Sequence, residues 1–298
     1  MLEDGTQLAI PAPPPSAADE VWHYTDAGGL IGIITGHQMW AHSADSMNDL
    51  SELRYGVDRV REEWAGFDPK LKRRQEAASA EIERCLAPHV SASLVSEVFI
   101  FSASRRRDHL PLWQGYAGGQ GYAISIAPTI DLAPLVETAP PAGAVGTFIA
   151  PGWFDVVYDH DEQGKSARSV FEFLLDPHVG AVHVVGTLAS LVVSFKDSAF
   201  AAEQEVRYVF YRMPWFAERF RPGRDGVVRY LPFVSRQVGF VDDFLTSIEM
   251  RLPITGVTVG PGDVSRRKVS IETVRRILEV NGYRGNLPVH ASHIPYRV

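Results

Sequence analysis

The chain has 298 residues, of which 45% are hydrophobic and 22% charged, with a formal net charge of −7. Such a composition supports one large apolar core or two small ones. The acidic balance argues against a protein that coats duplex nucleic acid, which needs a cationic face. Cys85 is the only cysteine, which excludes intramolecular disulfides and cysteine-clustered zinc, and no disulfide-linked partner is expected.

No apolar run reaches the roughly 18 residues of a membrane span. Residues 1–20 carry acidic side chains and a Pro-Ala-Pro-Pro-Pro stretch, without the pattern of a signal peptide. A flexible, Pro-rich tail over 1–20, one domain over 21–298 and a cytoplasmic location are the expectations. Val21 to Tyr24 reads as a strand, Thr25-Asp26 as a helix cap, and Leu30, Ile33 and Ile34 as one face of a short helix ended by Gly36. Gln38 to Ala41 is a second strand. Asp49 and Glu52 have capping-box spacing before a helix that runs towards Trp64. The helical pattern resumes from Pro69 to Ser96 with a break at Pro88, and places Cys85 at helical spacing from Ile82, as a small core residue.

Val98 to Phe101 is a buried strand that empties into a polar loop, Ser102 to Asp108. Pro111 to Tyr116 suggests a helical turn, and Tyr122 to Ile126 a strand. Val145 to Asp159 alternates as a strand pair around Pro151-Gly152. Ser166 to Ser194 reads as helix interrupted at Asp176-Pro177. Strands follow at Val206–Arg212, Val227–Leu231, Ile248–Leu252 and Val257–Val259. A helix with Ile271, Val274, Ile277 and Leu278 on one face then ends at Asn281-Gly282. The order implies a single α+β domain with mixed, mostly antiparallel sheets and inserted helices.

Walker, His-Glu-x-x-His and Gly-x-Ser-x-Gly motifs are absent. Gly118 to Gly121 precedes a strand instead of opening a helix, so it reads as a tight turn. Gly260 to Asp263 lies between strand and helix, where it is either a turn or an anion site. No spacing supports a metal site, and His109 and His160 read as solvated. His23 lies inside its strand between Trp22 and Tyr24, so alternation turns it away from both aromatics, into a cleft, solvent or a separate core. Glu203, Glu205 and Arg207 fall on one face of a strand. A Glu held beside an Arg suits the stabilisation of developing positive charge, and equally a salt-bridged strand end.

These runs, in order, resemble the bacterial domain-of-unknown-function family 2971. The matches are His23-Tyr24-Thr25 with Leu30 and Ile33-Ile34, Met47-Asn48-Asp49 with Glu52, and Phe101-Ser102 with Asp108. Leu110 to Trp113 with Tyr116, Gly121-Tyr122, Phe195-Lys196 through Glu205 and Arg207, and Ser292 to Arg297 complete them. More distantly, the opening strand, short helix and Ile-Ile-x-Gly resemble ADP-ribosyltransferase-like toxins and RNA 2′-phosphotransferases. That resemblance implies a split-sheet core, NAD as substrate, His23 as an NAD contact and Glu205 as the catalytic carboxylate. Glu203-Gln204-Glu205 resembles the Glu-x-Glu of arginine-modifying members, and Phe101-Ser102-Ala103-Ser104 their Ser-Thr-Ser strand, with Ala in place of Thr. Tyr24, Thr25, Ser102 and Arg207 would line the same nucleotide site. Trp113, Tyr116 and Tyr122 are candidates for the aromatic that packs on nicotinamide, and Arg105 to Arg107 for the pyrophosphate or for a solvated loop.

Three functions stay open on the sequence. The first is an NAD-dependent ADP-ribosyltransferase or NAD glycohydrolase, as a toxin or phage-defence effector. The second is a non-catalytic nucleotide- or partner-binding module, and the third a nucleic-acid-processing enzyme using the Arg run. The acceptor of a transferase has no readable code.

Overall fold

The computed structural model describes residues 19–46, 50–88, 96–139, 152–179, 182–223, 226–235, 251–283 and 287–295. Residues 1–18 of the expected tail, Val145–Pro151 of the expected strand pair and Ile248–Met250 lie outside them. Within the described residues no helix is long and apolar enough to cross a membrane.

The strands are β1 (Val21–Thr25), β2 (Met39–Ser43), β3 (Val98–Ser104), β4 (Tyr122–Ile126), β5 (Leu132–Pro134) and β6 (Trp153–Asp155). They continue as β7 (Glu205–Tyr211), β8 (Arg219–Gly223), β9 (Gly226–Ser235), β10 (Ile254–Val259) and β11 (Val289–Ala291). All belong to one open sheet, antiparallel except for the pair β10–β11. The helices are α1 (Ala27–Gly36), α2 (Leu50–Gly66), α3 (Pro69–Arg74), α4 (Glu76–Leu86), α5 (Leu110–Tyr116), α6 (His160–Leu174), α7 (Val182–Ser194) and α8 (Val264–Val280).

Local chemistry sets several boundaries. The Asp26 carboxylate accepts from the Gly29 amide at the start of α1, and Asp159 accepts from the amides of Asp161 and Glu162 at the start of α6. Gly36 is the last residue of α1, but the left-handed cap falls on His37, at φ 48°. The strand expected to end at Phe101 runs on to Ser104, because β7 pairs with it along its whole length, from Val98↔Tyr211 to Ser104↔Glu205. The strand expected at Ile248–Leu252 is absent at Arg251 and Leu252; β10 begins at Ile254 instead. β5, β8 and β11 were not foreseen, being short or exposed.

Alternation divides the sheet into two faces. On one, Val21, Phe99, Phe101, Ile124, Val206, Tyr208 and Phe210 form a core with Leu30 and Ile34 of α1 and Val274 and Leu278 of α8. On the other, Val98, Ile100 and Val209 are covered by α2, α4, α6 and α7, with Cys85 inside that layer. At Gly56 a Cβ would sit 2.2 Å from the Val192 carbonyl oxygen, so α2 and α7 cross with no room for a side chain. On the same face, Trp22 and Tyr24 pack with Leu112 and Trp113 of α5.

β3 is flanked on one edge by β7 and on the other by two strands that diverge. β1 meets it at Trp22↔Ser104, and β2 at Ser43↔Phe99 and His42↔Ile100. Between those points, among the described residues, Phe101 to Ala103 has no strand on that edge.

Candidate functional site

The gap beside β3 frees the Ser102 carbonyl from the ladder, and His23 Nδ1 meets it at 2.9 Å. A carbonyl only accepts, so Nδ1 carries the proton. The ring lies 4.4 Å from that of Phe101, and burial holds its pKa below the ordinary histidine value against the effect of that bond.

Ser102 points its side chain to the other face, where it stands opposite Arg207 in the β3–β7 pair. There its hydroxyl bonds to the Glu205 carboxylate. Glu205 also takes Arg207 Nε on Oε1 at 2.7 Å, Arg207 Nη2 on Oε2 at 2.9 Å, and Lys196 Nζ on Oε2 at 3.0 Å. Burial alone would raise this carboxyl, but Arg207, Lys196 and the bonds from Arg207 and Ser102 prevail and hold it at about 2.

Two further carboxylates join. Glu52 of α2 bridges Lys196 at 3.0 Å and Arg207 at 2.9 Å, and Glu203 bonds Lys196 at 2.8 Å. Three carboxylates thus face two cations, and one negative charge is left over. Lys196 is held in its charged form despite burial by Glu205, Glu52 and Glu203. Arg207 also donates to the Val193 carbonyl at 2.6 Å, tying β7 to the end of α7.

Glu203 does not lie on the strand face expected for it. It ends a 3-10 turn, Ser198–Glu203, and Gln204 at φ 44° turns the chain before β7 begins. The two carboxylates therefore converge through Lys196 and not through strand alternation. Their surroundings differ: the Glu205 side chain is 7% exposed with its lone pairs engaged, whereas Glu203 is 18% exposed and, among the described residues, bonded by Lys196 alone.

Aromatic residues ring the cluster. Tyr116, at the end of α5, is 46% exposed and lies within the electrostatic reach of Lys196, Glu203, Glu205 and Glu52. Burial of its hydroxyl raises the phenol to about 12. Phe200 covers Lys196, with Nζ 5.0 Å from the ring. Beneath the cluster the Tyr158 hydroxyl accepts the Glu205 amide at 2.9 Å.

The other expected site residues are placed as follows. Trp113 is fully buried, with Tyr24 edge-on at 4.7 Å and Nε1 donating to Asp108 at 2.8 Å, so it presents no ring face to a ligand. Tyr24 is buried and donates to the Arg106 carbonyl. Tyr122 stands opposite Thr25 and faces the α1–α8 layer, away from Glu205. Arg105 is paired with Asp155, Arg107 leans on Thr258 and Trp22, and the Arg run is therefore dispersed. His109, expected in solvent, forms the entry to α5 and is partly buried, with Nε2 enclosed and without a hydrogen-bond partner among the described residues.

Sequence reasoning missed Glu52 and Lys196 as members of the site. One signal for Glu52 exists: Glu52, Gly56, Arg59 and Glu63 share a helical stripe that periodicity assigns to packing. Among the described residues no group of histidine, cysteine and carboxylates is arranged to hold a metal ion. Comparison with protein-family models, curated proteins and solved structures finds no match for this chain.

Proposed function

We propose that the protein uses NAD, as an ADP-ribosyltransferase or NAD glycohydrolase, on the face where Ser102, Glu203, Glu205 and Tyr116 meet. Ser102 carries the reading: its carbonyl takes His23 and its hydroxyl takes Glu205, so β1, β3 and β7 are neighbours joined at one residue. Those are the first-strand His and late-strand Glu of the resemblance, but His23 packs with Phe101 on the face opposite Glu205, so the reading leaves contact with the ligand to the Glu205 face and gives His23 the part of holding β3. The divergence of β1 and β2 supports the finer reading of the sheet as a split-sheet core of that kind.

Charge supports it too. Nicotinamide in NAD is a cationic ring, and an excess carboxylate beside a half-exposed tyrosine suits such a ring. Cleavage of the nicotinamide–ribose bond sends the electron pair to the ring nitrogen and leaves a ribosyl cation, which the negative cluster stabilises. Glu203, with spare hydrogen-bond capacity, takes the proton of the attacking water or acceptor. A ribose hydroxyl at Glu205 replaces one of the bonds that Ser102 or Lys196 now makes. A role as a toxin or phage-defence effector belongs to the same proposal.

A second reading is favoured by one observation: Glu205 is saturated by Arg207, Lys196 and Ser102. A carboxylate so engaged suits a nucleotide-binding module without turnover. Nicotinamide release from NAD separates the two. Transferase or hydrolase activity requires release that Glu205→Gln lowers about a hundredfold or more and Tyr116→Ala weakens through KM, in variants with unchanged circular dichroism. Saturable NAD binding without release selects the module, and neither binding nor release refutes both.

A further inference from the structure

A second polar–aromatic cluster lies on the far side of the gap beside β3. β2 and β9 pair through His42↔Tyr230 and Trp40↔Pro232, so Trp40, His42 and Tyr230 project from one face. β8 pairs with β9 through Arg221↔Val228, which brings Arg221 to the same face. All four side chains are partly exposed. The Trp40 and Tyr230 rings lie 4.6 Å apart, and the Arg221 guanidinium lies 6.0 Å from the Trp40 ring centre.

Arg221 differs from its neighbours in what holds it. On the same ribbon Arg219 pairs with Glu137, and Arg229 with Asp45 and Glu218. Arg221 has no carboxylate among the described residues. Its Nε and Nη2 converge on His42 Nε2, at 3.1 and 2.9 Å, and Nη1 reaches the Pro222 carbonyl at 3.2 Å. His42 can accept only as the neutral ring; burial, Arg221 and His23 keep it so, lowering its pKa to about 4. The guanidinium is thus aimed by two neutral acceptors, and among the described residues no carboxylate compensates its charge. Of the five N–H groups of a guanidinium, two remain for another anion.

We propose that Trp40, Tyr230 and Arg221 form a binding ledge for one nucleotide unit, with the base on the aromatic pair and the phosphate on Arg221. An aromatic platform holds any base by its π-face, and an Arg fork matches phosphate oxygens. One arginine at the ledge, in a chain of net charge −7, fits one phosphate and not the track of cations that a long strand requires. The occupant is accordingly a free nucleoside phosphate. The ledge does not rest on the NAD reading, because none of its residues belongs to the Glu205 cluster.

AMP titrated into the full chain, by calorimetry, provides the probe, with adenosine, inorganic phosphate, a twelve-nucleotide single strand and a phosphotyrosine peptide as comparators. The expected result is saturable AMP binding about tenfold or more tighter than adenosine or phosphate alone. Arg221→Gln should bring AMP to the level of adenosine, and Trp40→Ala should weaken both about tenfold. Glu203→Gln and Tyr116→Ala should leave AMP binding unchanged. Absence of saturable AMP binding overturns the proposal, as does loss through Tyr116→Ala with Arg221→Gln unaffected, which would return the ligand to the Glu205 face. Preference for the oligonucleotide with a steep salt dependence, or for the phosphopeptide, overturns it equally.

Discussion

Arg207 and Glu205, two residues apart on one strand face, close a bidentate pair, Nε to Oε1 at 2.7 Å and Nη2 to Oε2 at 2.9 Å. Both side chains are buried, so the attraction largely offsets desolvation while both are present and leaves a large penalty when one is removed. Glu205→Leu should destabilise the protein by about 3–5 kcal/mol, whereas Glu205→Leu with Arg207→Met should cost less than the sum of the single changes. Urea denaturation of the four proteins of that cycle is the measurement, and strict additivity would refute the coupling.

Glu52 is the part of the cluster supplied by the helical layer. Glu52→Gln keeps the shape and removes the surplus negative charge, but its amide keeps one acceptor oxygen for Lys196 or Arg207 and turns an NH2 donor towards the other cation. A loss of about 1–3 kcal/mol is expected, smaller than for Glu205 because Glu52 is nearer to solvent. An unchanged urea midpoint would show that Glu52 is incidental.

Acid should weaken the fold in two stages. His23 and His42 both have native pKa values below the ordinary 6.5, His42 at about 4. Below pH 6.5 the unfolded rings bind protons that the folded rings refuse, so stability falls as pH drops from about 6.5 towards 4. For His42 the slope approaches roughly 1.4 kcal/mol per pH unit between those values, and His23 adds in the same direction. Glu205 is depressed from 4.5 to about 2, and its contribution, complete above 4.5, is lost between those values. A series of urea midpoints from pH 8 to 4 should be level above about 7 and decline below 6.5. His42→Gln should remove part of the first decline, and a flat series would contradict the neutral assignment of both rings.

Two helical glycines should respond with opposite signs. Gly56→Ala drives a Cβ to 2.2 Å from the Val192 carbonyl, backbone that yields only if α2 and α7 separate. A cost of about 1–3 kcal/mol or more follows. At Gly32 in α1 a Cβ meets nothing within 4 Å, so Gly32→Ala should stabilise by about 0.4–1 kcal/mol. Thermal melts of the two variants decide the matter.

The elements that periodicity made legible are those with one apolar stripe or a dense apolar run, such as α1, α8, β4 and the start of β3. Ser102 to Ser104 reads as loop in the sequence because polar residues on a strand resemble a loop when the partner, β7, lies about a hundred residues away. Glu205 and Arg207 were placed on one face correctly by alternation. Glu203 was not, since nothing in Glu-Gln-Glu announces a left-handed glutamine. Lys196 follows an apolar helix end directly, and a lone lysine there is a signal of burial that needs its carboxylates to be interpretable. Trp113 and Tyr116 illustrate the remaining limit. They lie three apart on one short helix, and only its rotation against Trp22 and Tyr24 decides which is enclosed.

The Glu52–Arg207 contact spans 155 positions, which has a consequence for synthesis. During translation Glu52 emerges long before Lys196, Glu205 or Arg207, and any early docking of α2 would bury a carboxylate with no cation beside it. Docking of the helical layer on β3 therefore carries the cost of an unpaired Glu52 until β7 has left the ribosome. Shortened nascent chains that end before Lys196 should be protease-sensitive at α2, and chains extended beyond Tyr211 protected there, so that the last-made residues of the cluster time the closure of the domain.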